Sequence, residues 1–365
     1  MEDLVDMIID ADAHVNEDLD ELTEFLDPVF RSRRPVILRD TLGLSRILLE
    51  GKLYPEPRLR QQHSEKVEGT SLGGTRAGAR DPIARIVDLD LEGFDVQVVY
   101  GSLGLGVTSI DDHEYGVAFA QACNDYYARF CSTESGRLRG MAALPVQDVS
   151  AAVEELDRCV TDLGLLGGTV PPNVAGVDLG NDLFEPLWAK AESLDVPISV
   201  HWGNGTHMPA SGTERFNTHF MVHAVGHPFE QMLAMASLMT NGVFDRYPRL
   251  RIGFLEAGCG WAPFWVERLH EHWERRGAEV PRMQYDPLTY FQNGNCYISC
   301  EPDETLIPAA AKILGDHSLL FSSDYPHTDS IFPKCVSTVR LRDDLTEGTK
   351  ELLLGGNASN FYALN

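Results

Sequence analysis

Eight short β-rich runs separated by stretches of helical periodicity constrain this chain more than any other feature of its sequence. They are Met7–His14, Val96–Ser102, Leu138–Pro145, Leu165–Pro172, Val196–Trp202, Arg251–Gly258, Cys296–Pro302 and Leu319–His327. Helical patterns follow over His113–Thr133, Val149–Leu163, Asn181–Leu194, Pro228–Asn241, Ala262–Arg276, Glu304–Leu314, Lys334–Leu345 and Glu347–Leu364. Parallel strands need long crossovers, usually helical, so alternation of this kind predicts a parallel sheet. Eight units predict an α/β fold, a (β/α)8 TIM barrel, as one domain over residues 1–365. A doubly wound open sheet is the alternative, but no GxGxxG follows the first run to favour a dinucleotide fold.

One interval breaks the rhythm. Between the first two runs, residues 16–85 are rich in Arg, Pro and Gly and carry no long periodic pattern, which predicts an insertion over the active-site face. Residues 31–85 hold 12 Lys/Arg against 6 Asp/Glu, in a chain with 30 against 55 and a net charge of −25. The acidic total argues against a nucleic-acid backbone or an anionic membrane as partner, while the basic interval predicts a local site for an anion. No apolar run approaches the ~20 residues of a membrane span. The acidic start MEDLVDMIID does not read as a signal peptide, so a cytoplasmic chain is expected. Seven scattered cysteines imply buried thiols rather than a disulfide framework, with Cys296 and Cys300 only a weak metal-site pattern.

In a TIM barrel the chemistry gathers at the C-terminal strand ends. Asp12 and His14 end the first run with i, i+2 spacing, which turns both to one side. His201 ends the fifth, Glu256 the sixth, and Asp324 the eighth, followed closely by His327. Burying so many charged groups without a cation is costly, so the pattern predicts a metal site. After the fifth run, His219, His223 and His227 recur at i, i+4, i+8. Pro228 suits a first helical turn, which would leave His227 at the helix entrance. His327 and Asp329 are candidates for orienting a ligand, His207 for lining the pocket, and His270 and His272 for solvent.

The motifs DADAH, SVHWG, HPFEQM, YPRLRIGFLEAGCGW and SSDYPH, taken in order, resemble the amidohydrolase-related metal-dependent TIM barrels, in the branch of aminocarboxymuconate-semialdehyde decarboxylase-like proteins. The resemblance implies metal ligands at Asp12, His14, His201 and Asp324. Two positions depart from it: DxH stands for the family's first-strand HxH, and Glu256 occupies a place often held by His. Counting the remaining donors, His223, His227 and Glu256 can serve a second metal, and mixed His and carboxylate donors suit Fe(II) or Mn. The same motifs resemble the TIM-barrel non-haem diiron monooxygenases of platensimycin and platencin diterpenoid biosynthesis. That likeness implies two Fe2+ ions, with Asp324, Glu256 and His327 as catalytic groups. It further implies O2-dependent hydroxylation of an apolar acid carried as its coenzyme A thioester, in antibiotic biosynthesis. Arg31, Arg33 and Arg34 would then bind the coenzyme A phosphates, an external electron donor or reductase is required, and a homodimer is an open expectation. The alternative is a mononuclear Zn2+ or Mn2+ hydrolase or decarboxylase, in which Asp324 acts as general base or orients the substrate. A barrel that only binds a ligand is the remaining reading.

Overall fold

A computed structural model describes residues 7–41, 43, 45–56, 76–133, 135–203 and 205–364. The eight predicted runs are the eight barrel strands. We number them β1 (Ile9–Val15), β2 (Val96–Gly101), β3 (Leu138–Gly140, resuming at Ala142–Ala143), β4 (Gly168–Val170), β5 (Ile198–Val200), β6 (Ile252–Phe254), β7 (Cys296–Cys300) and β8 (Leu319–Phe321). Each pairs in parallel with the next from β1 to β8. Two backbone bonds close the circle: His14 N–H donates to Tyr325 O at 2.6 Å and Asp324 N–H to Asp12 O at 3.1 Å. Helices cover the outside, so strands such as IDADAHV and LLF are buried along their whole length.

The insertion is more regular than its sequence suggests. Asp18 caps a helix at Leu19–Phe25 by accepting from the amides of Asp20 and Glu21. An antiparallel sheet follows, Val36–Arg39 paired with Ser45–Leu49 and that with Lys52–Tyr54. Strands of three to five residues are too short to show a period against an Arg- and Pro-rich background. Asp81 then caps the helix Pro82–Glu92, with Pro82 in its first turn. The tract 57–75, with Arg58, Arg60 and Lys66 of the basic interval, lies outside the described residues.

A second difference concerns the histidine helix. It runs His219–Thr240, capped by Thr218, whose hydroxyl accepts from the Met221 amide at 3.3 Å. Pro228 therefore lies inside the helix, correcting the expectation that it marks the start. The helix tolerates the one missing amide, and the three histidines consequently stack along one face, with ring centroids 5.6 Å (His219–His223) and 4.4 Å (His223–His227) apart. Among the described residues no helix is long and apolar enough to cross a membrane.

Beneath the strand ends a buried polar network locks the seam of the barrel. Arg85 donates to Gly78 O at 2.6 Å, to Gln97 Oε1 at 2.7 Å and to His14 O, with its guanidinium 4.2 Å from the Tyr325 ring centre. Gln97 Nε2 donates to Asp10 Oδ2 at 2.7 Å, and Asp10 also accepts from the Ser323 amide at 2.9 Å and from its hydroxyl. Burial pushes Asp10 up to about 7, outweighing these hydrogen bonds. Arg85→Met would strip the donor from three buried acceptors. We expect a loss of about 3–5 kcal/mol in urea denaturation, against a smaller loss for Arg85→Lys.

Candidate metal centre

Three groups of potential ligands converge at the C-terminal mouth of the barrel: Asp12, His14 and His201; His14, Asp324 and His327; and His223, His227 and Glu256. Strand ends supply most of them. Asp12 and His14 leave β1, His201 follows β5, Glu256 follows β6 and Asp324 follows β8, while His223 and His227 reach in from their helix. Glu256 and Asp324 adopt left-handed backbone, with φ of 53° and 52°. Such a conformation costs a non-glycine residue about 1–3 kcal/mol and persists where the surroundings impose it. Here it turns each carboxylate off its strand and toward the centre.

The imidazoles are set by their backbone partners. His14 Nδ1 faces Gly101 O at 3.3 Å and His201 Nδ1 faces Trp202 O at 3.3 Å. A carbonyl only accepts, so each Nδ1 carries the proton and each Nε2 turns a lone pair inward. His14 Nε2 stands 3.6 Å from Asp12 Oδ1 and 3.5 Å from Asp324 Oδ1, and His201 Nε2 stands 3.7 Å from Asp12 Oδ2. Both Asp12 oxygens and His14 Nε2 are buried with no hydrogen-bond partner among the described residues. Lone pairs aimed at lone pairs across 3.5–3.7 Å fit a divalent cation between them.

Glu256 links this group to the others. One of its oxygens lies 3.1 Å from His201 Nε2, and the other faces His227 at 3.9 Å and His223 and His327 at 4.0 Å. Burial and the neighbouring Asp324 and Asp12 carboxylates push Glu256 well above the usual carboxylate range, and burial likewise raises Asp324. Burial pushes His14 and His227 down, so both rings are neutral donors. His327 goes the other way. Although burial opposes its charge, Asp324 Oδ1 at 2.8 Å from Nδ1 lifts it to about 9.

Every proposed ligand thus stands at the mouth, and His327 joins them, stacked on His14 at 4.4 Å. The three arginines do not act together. Arg31 is bound to the carbonyls of Leu26 and Glu24, and Arg33 is paired with Glu50 and Asp112; Arg34 alone lines a cavity. His207 bonds Leu53 O at 2.8 Å, tying the loop after β5 to the insertion, and His270 pairs with Asp286 on the surface. Cys296 and Cys300 are free thiols outside the ligand groups found among the described residues. One group was missed. Glu301 ends β7, where burial and then Asp324 and Asp329 raise it to about 8. The strand-end rule that singled out Glu256 applied to it equally.

Comparison with known proteins agrees with this architecture. The amidohydrolase family model matches residues 9–364. The 2-amino-3-carboxymuconate-6-semialdehyde decarboxylase of Dictyostelium discoideum is 28% identical, over 78% of this chain and 77% of its own. The gamma-resorcylate decarboxylase of a Polaromonas strain is 30% identical, over 71% and 80%. Among solved structures, an amidohydrolase of Mycobacterium avium subsp. paratuberculosis superposes with a TM-score of 0.80 at 22% identity, over 98% and 99%. A Polaromonas dihydroxybenzoic acid decarboxylase with bound manganese gives 0.67 at 22%, over 99% and 98%. These comparisons overturn the expectation of an O2-dependent diiron monooxygenase and oxidoreductase, since the curated relatives matched over 70% or more of their own length are decarboxylases. The two-iron expectation loses its basis with it, and one neighbour of this fold holds manganese. A metal cofactor itself is supported by the donor set.

His14→Ala and His201→Ala should each lower metal affinity by more than about tenfold, since even partners one step removed from a metal are worth that much. The circular dichroism spectrum should be unchanged. Metal per chain, measured by inductively coupled plasma mass spectrometry, checks this against His270→Ala, a surface variant that should retain full occupancy.

Proposed function

The chain belongs to the amidohydrolase family, and on that premise we propose that it is a metal-dependent decarboxylase of a small aromatic or unsaturated carboxylic acid. Asp12, His14, His201 and Asp324 would hold one Mn2+ or Zn2+ ion. The observation that carries this reading is the set of inward, unpartnered ligand atoms on Asp12 and His14, in a chain similar to decarboxylases over 77% and 80% of their length. Bound there, the ion supplies a positive charge that anchors an acid and withdraws electron density from it.

The remaining steps belong to the protein. Decarboxylation breaks a carbon–carbon bond, leaves the electron pair on the substrate carbon, and consumes one proton with no net oxidation. Glu256, held protonated by burial and by Asp324 and Asp12, is the proton donor. His327 is about one-quarter exposed and sits 4.0 Å from Glu256, so it connects that carboxyl to solvent. Asp324 fixes the His327 ring at 2.8 Å and keeps it charged. His223 and His227, facing the same oxygen of Glu256, define where its carboxyl points.

Metal-loaded protein should release CO2 from at least one of 2,6-dihydroxybenzoate, 5-carboxyvanillate and 2-amino-3-carboxymuconate-6-semialdehyde, at the same rate with and without O2. Chelation should abolish the release, and Mn2+ or Zn2+ should restore it. Glu256→Gln should retain metal while losing about 10²–10⁴-fold in kcat, the range general-acid catalysis supplies. No CO2 from any of these acids would overturn the decarboxylase reading, and full activity in Glu256→Gln would reassign the proton donor.

A further inference from the structure

A cavity of about 320 Å3 lies between the barrel mouth and the inserted sheet, a volume suited to one small-molecule group. Its inner wall continues the ligand strands. Asn16 lies two residues beyond His14, about 7 Å along an extended chain, and Ser102 follows Gly101, whose carbonyl faces His14 Nδ1. The outer wall is apolar, formed by Pro35, Val36, Ile37 and Ile47 of the insertion.

Two cations face into this space. Arg34 and Arg80 line the cavity, and beyond their backbone bonds neither guanidinium has a hydrogen-bond or ion-pair partner among the described residues. Among the other described arginines of the insertion, Arg39 at the end of its sheet strand, outside this cavity, also lacks a side-chain partner, but the rest are bound. Arg31, Arg33, Arg46, Arg76 and Arg85 all bond to carbonyls, carboxylates or amides. The carboxylates at the cavity are mostly committed. Glu17 accepts from the Leu103 and Gly104 amides and the Tyr127 hydroxyl, and Asp18 is spent on its helix cap. That leaves Asp20 against two free guanidiniums, both from the interval 31–85, whose excess of basic residues opposes the charge of the rest of the chain.

We propose that this cavity is a specificity subsite that takes a second oxyanion, carboxylate or phosphate, at the far end of the substrate, with Arg34 and Arg80 as its ligands. The inference rests on the barrel mouth binding the reacting carboxylate. The preferred substrate is then a dianion with an apolar body: one end lies at the metal centre, and the body runs along Ile37 and Ile47. Guanidinium forks bind both oxyanions bidentately, so the geometry suits either source.

Calorimetry of Mn2+-loaded protein with benzoate, isophthalate and 3-(phosphonooxy)benzoate tests this. At least one dianion should bind about tenfold or more tighter than benzoate, the worth of one hydrogen bond to a charged group. Whichever dianion shows the gain identifies the oxyanion. Arg34→Gln and Arg80→Gln should each reduce that preference, lower its salt dependence, and leave benzoate affinity and metal content unchanged. Equal binding of all three acids, or an undiminished preference in both variants, overturns the subsite while leaving the metal-site reading standing. Failure of all three to bind overturns both.

Discussion

Everything at the barrel mouth depends on one electrostatic constraint: anionic and lone-pair donors face one another across a buried space, and the His327 imidazolium beside Asp324 offsets only part of their charge. Asp12, Glu256 and Asp324 would repel, and the inward nitrogens of His14 and His201 add no proton to relieve them. Left to itself the protein answers by neutralisation, with carboxyl groups pushed up and imidazoles pushed down. A divalent cation reverses that tendency at Asp12 and Asp324, which would hold it, because it makes their charged carboxylates and the neutral imidazoles favourable together, while buried Glu256 keeps its proton. The strained backbone at Glu256 and Asp324 and the polar network under β1 serve the same end, since each fixes a donor that would otherwise turn to water.

Much of the barrel was legible in the sequence because its signal is repeated. Eight β-rich runs, each bounded by helical periodicity, leave little room for error even when individual ends shift by a few residues. The convergence of the strand-end donors at the mouth was legible for the same reason: position in the fold follows from position in the run. What failed to show was local and short. The three-stranded sheet of the insertion has too few residues per strand to display alternation, and the helix Pro82–Glu92 sat partly inside an interval read as irregular. Pro228 looked like a helix start and is not one, because Thr218, ten residues earlier, already caps the start of the helix.

The function was less legible than the site. The same donors support oxygen chemistry, hydrolysis or decarboxylation, and a donor count alone favoured two irons. Glu256 illustrates the difficulty. Read as one ligand among several, it implied a second metal; placed in space, it lies between His201 and the His223–His227 pair, with a carboxyl that burial keeps protonated. Likewise the three adjacent arginines read as one cationic patch, but helix ends and neighbouring carboxylates claim two of them. Only the fold separates Arg34 from Arg31 and Arg33.

The closure of the barrel also sets an order of events in the life of the chain. Asp12 and Asp324 meet through a backbone bond between the first strand and the last, and Asp10 reaches Ser323 across the same seam. Contacts so distant along the chain carry the largest loop-closure entropy and form late in folding. A chain lacking β8 lacks Asp324 and His327 and so holds only part of the donor set. The full circle of donors exists only once the last strand has closed on the first.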